Sequence, residues 1–265
     1  MTVFPTSPVT PFATGTGTAE TGQQTFTVPS GAVELVAVRG HVTSEAPAPA
    51  EGLAGVFKIT GQDWQHTPYE FFSEIGGNHL GSINGSAYAI EPRWWAARLG
   101  VKAGATIACT IEMLDALAGN GEATIDCLWS STRTGLPPVQ RLCSRETAST
   151  TATGASITVT NASRVVDFTY AYVPNGVLVA GEETSSILTV NSGGLSGQQT
   201  MSLSNIVHGI EATSGQSWTT LMKAEVDIAV RDDPAVFNSS IALTSASTNA
   251  DCYAYSIGYI PKTSV

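Results

Sequence analysis

The sequence is poor in charge, and poorest in positive charge. Only 13% of its 265 residues are charged, with 12 Lys and Arg against 22 Asp and Glu, for a net charge of −10. The nearest approaches to a basic cluster are Arg93 with Arg98 and Arg141 with Arg145. Tracking a phosphate backbone takes several clustered cations, so direct nucleic-acid binding is not expected. The opening stretch "MTVFPTSPVTPFATGTGTAETGQQ" has no basic segment followed by an apolar run. It therefore does not read as a secretory signal, and the chain reads as made in the cytoplasm. No apolar run approaches the ~18 residues of a membrane-spanning helix.

Catalytic signatures are also missing. The glycine-containing loops "GGNHLGSINGS" (76–86) and "NSGGLSGQQ" (191–199) match neither phosphate-binding pattern, and no G-x-S-x-G elbow occurs. His66 and Glu70 are spaced to share a helix face, but no third metal ligand stands at a convincing distance. Asp63, Glu70 and Glu74 could supply a carboxylate pair for glycoside hydrolysis, though charged helix faces are common. The expectation is a chain with no catalytic residue, no cofactor and no metal. The four cysteines (Cys109, Cys127, Cys143, Cys252) form no C-x-x-C pair. Cys127 and Cys252 lie in strand-like runs and read as small buried hydrophobes; a hairpin disulfide between Cys109 and Cys127 is the lesser alternative.

What is present is a β pattern, written twice. Val, Ile, Thr and aromatic residues recur in short runs, punctuated by Gly and Pro, as in an all-β sandwich. "TIDCLWSS" at 124–131 and "NADCYAYS" at 249–256 both place Asp-Cys before alternating aromatics, about half a chain apart. Other segments match in the same order: "TFTVPSGAVELVAV" (25–38) with "SITVTNASRVVDFTY" (156–170), and "GVFKIT" (55–60) with "SILTVN" (186–191). "QHT" (65–67) matches "QQT" (198–200), and "IACT" (107–110) matches "IALT" (241–244). Short Val/Thr strands always look alike, so the shared order carries the duplication rather than any one match. Cys127 and Cys252 should then point inward from the last core strand of each module, with Asp126 and Asp251 facing out.

The expected organisation is an extended arm over 1–22, a first module over 23–131, a connector over 132–154 and a second module with a short tail over 155–265. About eight strand-like runs per module, folded as two facing antiparallel sheets, make a jelly roll. In "LMKAEVDIAVRD" (221–232), Met222, Ala224, Val226, Ile228 and Val230 face one way, and Lys223, Glu225 and Asp227 the other. "TPYEFFSEIGG" (67–77) and "EPRWWAARLG" (91–100), each with an early proline and a terminal glycine, predict short helices in loops. Trp64, Trp94 and Trp95 are candidate interface anchors; Trp94 and Trp95, being adjacent, cannot both face one core.

Two tandem jelly-roll modules, an extended N-terminal arm and no enzyme motif resemble the double jelly-roll major capsid proteins of tailless icosahedral viruses. That resemblance covers about residues 23–260. It implies homotrimeric, pseudo-hexagonal capsomers in a virion shell, made in the host cytoplasm. It also implies neighbouring capsid proteins such as a vertex protein, and an underlying viral membrane. The chain departs from the family in its small size, which leaves little room for tower loops. Two other readings share the composition: a phage cement or fibre accessory protein, and a carbohydrate-binding β-sandwich.

Overall fold

The computed structural model describes residues 3–5, 12–13, 24–44, 55–62, 68–75, 82–83, 86–87, 94–113, 121–147, 151–153, 156–175, 183–197, 200–208, 222–243 and 249–262. Every regular element among them is a strand, and nearly all the strand pairs are antiparallel. The first half holds β1 (Val3–Pro5), β2 (Phe12–Ala13), β3 (Gln24–Thr27), β4 (Glu34–Ser44), β5 (Gly55–Gln62) and β6 (Pro68–Ile75). It continues with β7 (Ser82–Ile83), β8 (Ser86–Ala87), β9 (Trp95–Gly100), β10 (Thr106–Met113) and β11 (Gly121–Ser130). The second half holds β12 (Gln140–Thr147), β13 (Thr151–Thr153), β14 (Ile157–Val159), β15 (Ala162–Asn175) and β16 (Glu183–Asn191). It ends with β17 (Thr200–His208), β18 (Met222–Ala229), β19 (Ala235–Leu243) and β20 (Asn249–Pro261).

The strand order repeats. In the first half one sheet runs β1-β11-β4-β9 and the other β6-β5-β10-β3. In the second half the corresponding orders are β12-β20-β15-β18 and β17-β16-β19-β14. Numbered within each half, these are the same two four-stranded paths of a jelly roll. The matched segments fall on equivalent strands: 25–38 and 156–170 on β3–β4 and β14–β15, "GVFKIT" and "SILTVN" on β5 and β16, and the two Asp-Cys runs on β11 and β20. β2 adds to the first sheet beside β11, β13 adds beside β19, and β7 with β8 makes a separate small hairpin.

The halves are joined through hydrogen bonding. β12 pairs antiparallel with β20 on one side and parallel with β6, at Arg141 and Phe71, on the other. The result is one eight-stranded sheet, β18-β15-β20-β12-β6-β5-β10-β3, running through both modules. The stretch 132–154, expected to connect, thus contains a strand at the middle of that sheet. The 1–22 stretch contributes β1 and β2, both laid against β11.

Each module has its own core. Val38, Ile107, Ile125, Cys127 and Trp129 are buried in the first. In the second, Val165 and Phe168 of β15 and Tyr255, Ile257 and Tyr259 of β20 pack with Leu188, Val190 and Phe237 of the facing sheet. Ala224, Val226, Ile228 and Val230 line the edge of this core, as the alternation in 221–232 requires.

Both predicted helices are strands. β6 begins at Pro68, and a first strand position tolerates a missing N–H; its Tyr-Phe-Phe content favours a pleated surface. Over β9, burial alternates residue by residue, a period of two rather than 3.6. The pairing of β9 with β4 shifts between Leu35 and Ala37, and Arg98 stands at φ 52°, which marks a bulge-like irregularity in this pair.

Candidate functional site at the seam of the two modules

Trp94 and Trp95 lie where β9 begins, and they point in opposite senses. Val38 of β4 stands opposite both Trp95 of β9 and Cys127 of β11, so these three share a face of their sheet. Trp95 is 1% exposed; Trp94 is 37% exposed. Each ring takes one arginine. The Arg39 guanidinium lies 4.6 Å from the centre of the Trp94 ring, and the Arg141 guanidinium 4.7 Å from that of Trp95. Both distances are within cation–π range.

The Trp95 side is the more elaborate. Arg141, on β12, is fully buried. It ion-pairs with Asp167 of β15 and donates from Nη1 to Ser256 Oγ of β20 at 2.9 Å. Ser256 Oγ also bonds Thr169 Oγ1 at 2.7 Å. Lys223 Nζ of β18 stands 3.9 Å from Asp167 Oδ2 and 5.4 Å from the centre of the Trp95 ring. These side chains occupy the face of the sheet opposite the second core, since Ser256 and Gly258 alternate with Tyr255, Ile257 and Tyr259. That face would normally meet water. Here it is closed by Trp95 from the first module.

Gly258 makes the cluster possible. In the register it stands between Arg141 and Asp167. A Cβ there would lie 2.6 Å from Asp167 Oδ1 and 2.8 Å from Arg141 Nη2, closer than real carbon contacts allow. The missing side chain lets the two charged groups meet across β20. One more contact crosses the seam: Val139 N–H donates to Ala97 O at 2.9 Å; within the second module, Tyr259 OH donates to Gln140 Oε1 at 2.7 Å.

On the other side, Arg39 Nε donates to Asp126 Oδ2 at 2.7 Å from directly opposite positions on β4 and β11. Asp126 lies on the face opposite Cys127 and is 8% exposed, with Arg39 bonded across it and the Trp94 ring against Arg39. Nearby, Glu34 is buried and accepts from Thr134 N–H and Thr134 Oγ1, both at 2.7 Å, which ties the 131–139 loop to β4.

Chemically the seam holds charge still. Both Asp167 oxygens face a cation, so no free carboxylate is presented as a base. Among the described residues no group of three or more His, Cys, Asp or Glu could hold a metal. His66, Asp63 and Trp64 lie outside the described residues. Glu70 and Glu74 fall on β6, which removes the helical spacing behind both the metal and the carboxylate-pair readings. Cys127 is buried on β11; Cys252 stands on β20 opposite Thr147 and Val173. Cys109 and Cys127 sit on strands of different sheets and not on a hairpin.

In the sequence Arg141 stands out only as half of a weak basic pair with Arg145, and Asp167, Ser256 and Gly258 are not among the candidate site residues. The available signal was Asp167 itself, a charge inside the apolar run "RVVDFTY", together with a lone glycine between β-branched and aromatic residues.

No family model matches the chain, and no curated protein does. Solved structures that resemble it include N-glycanase F (PNGase F), at 10% identity over 99% of this chain and 97% of that one, with a TM-score of 0.48. The major capsid protein of Sulfolobus Turreted Icosahedral Virus resembles it at 10% identity over 98% and 97%, with a TM-score of 0.43. PNGF-II does so at 9% identity with a TM-score of 0.44; the match covers 92% of this chain but 60% of PNGF-II. With every TM-score below 0.5, the fold assignment rests on the chain's own strand order: two antiparallel jelly-roll sandwiches in tandem.

Proposed function

We propose that the chain is a structural, non-enzymatic subunit of an icosahedral virus shell, residing in the virion and assembling as homotrimers. One observation carries the reading: the same strand order occurs twice, and the two copies share a continuous sheet. A chain built this way presents two similar units in a fixed relation. Three such chains around a three-fold axis present six similar outer units, which suits hexagonal tiling. The buried seam supports the same reading, because Arg141, Asp167 and Trp95 serve rigidity and leave no open catalytic carboxylate. Neighbouring shell proteins, a vertex protein among them, and a membrane beneath the shell are the partners this role would bring.

The test is native mass by light scattering at two salt concentrations, with electron microscopy of any large species. The expected result is a particle of three chains, or a megadalton shell. A 27.5 kDa monomer at every concentration would overturn the reading and favour a glycan-binding module. Release of glycan from a glycopeptide substrate would overturn its non-enzymatic part.

A further inference from the structure

Charge is excluded from one whole sheet. Across β13, β14, β16, β17 and β19, the single Asp, Glu, Lys or Arg is Glu183, the first residue of β16. Every other main sheet carries several: Lys58, Glu70, Glu74 and Glu112 lie on β5, β6 and β10, the strands equivalent to β16, β17 and β19. The inward positions of the neutral sheet are core residues such as Leu188, Val190 and Phe237. Its outer face carries Ile187 and Val236, 39% and 41% exposed, together with exposed Asn191, Ser202, Asn238 and Ala242. The registers place Asn191 beside Asn238, and Ile187 beside Ala242, so the face is continuous across β16 and β19.

We infer that this outer face is where the same face of a second copy docks across a two-fold axis, joining one trimer to the next, which rests on the self-assembling reading above. Each copy has a net charge of −10, so approach through most of its surface is repulsive. The outer face of this sheet is where two copies can meet without burying or opposing charge, and where desolvation removes Ile187 and Val236 from water. The size is adequate. Three strands of nine residues are about 30 Å long, and at strand spacing the sheet is about 15–20 Å wide. Its projected area is on the order of 500 Å², which side-chain relief brings toward the ~800 Å² per partner of a standard interface. Short Ser, Thr and Asn side chains give up little rotamer entropy there.

The experiment is sedimentation velocity on full-length I187E, V236E and the double variant, with L136E as control. Leu136 is 54% exposed in the 131–139 loop, away from the sheet. The expected result is a wild type and L136E that associate beyond the trimer, at least tenfold weaker association beyond the trimer in each single variant, and a folded trimer that goes no further for the double variant. Unchanged association of the folded variants would overturn the docking face while leaving the shell reading intact. A monomeric wild type would overturn both. Should the glutamates unfold the sheet, a photo-crosslinker at position 236 of the wild-type background decides: crosslinked dimers support the face, and their absence from an oligomeric sample overturns it.

Discussion

Two of the Arg–Asp pairs among the described residues share one chemistry, each beneath a tryptophan, and differ in surroundings. Arg39–Asp126 lies within the first module, with side-chain exposures of 28% and 11%, beneath the half-open ring of Trp94. Arg141–Asp167 lies at the seam, at 0% and 9%, beneath the closed ring of Trp95. Adjacent tryptophans thus roof two equivalent pairs on opposite sides of β9, one facing solvent and one facing the other module. A partly hydrated pair can lose a partner and let water replace it. A buried pair cannot, so the same substitution should have unequal effects.

The comparison breaks most visibly at the tryptophans. Trp95→Ala should cost about 3–5 kcal/mol, because it opens a cavity over a buried cation, whereas Trp94→Ala should cost about 1 kcal/mol or less. Thermal melts of both variants settle this, and equal losses would mean that the rings are equivalent after all. Next come the acids. Asp167→Ala leaves Arg141 buried without its carboxylate and should cost about 3–5 kcal/mol, against about 1 kcal/mol for Asp126→Ala by urea titration. Gly258→Ala tests the close approach without removing a charge: overpacking of about 1–3 kcal/mol is expected, and a neutral result would mean that the pair can part at no penalty.

The smallest effect belongs to the exposed Asp233, whose carboxyl is held below the usual carboxylate range by the Asn161 N–H first and by Lys262 second. A lowered folded-state value means that its stabilising contribution is present above the ordinary carboxylate range and is lost as pH falls through the folded value. Asp233→Asn should therefore weaken the protein slightly at neutral pH and flatten its acid-side stability profile. A profile parallel to wild type in acid melts would show that the contact contributes nothing.

Much of this fold was written in the order of the strands. The matched segments 25–38 with 156–170, "GVFKIT" with "SILTVN", and the two Asp-Cys runs fall on equivalent strands because a duplicated fold keeps its hydrophobic rows even where identities drift. The strands mistaken for helices were illegible for a local reason. Proline followed by aromatics and ending in Gly-Gly is compatible with a capped helix or with a strand, and only the partners β5 and β12 decide between them for β6. The seam was illegible for a non-local one: Arg141, Asp167 and Ser256 are far apart in sequence and meet because β20 pairs between β12 and β15, while the first module joins them through the parallel pairing of β12 with β6; no local pattern announces either.

That parallel pairing has a consequence for the order in which the chain is made. β12 emerges directly after β11, when the first module can already be complete, and β6 then offers it a free edge. Its antiparallel partner, β20, follows the other described strands in the sequence. During synthesis the finished half therefore holds the first strand of the unfinished one, giving the later strands a fixed template and keeping two sheet edges from pairing with other nascent chains.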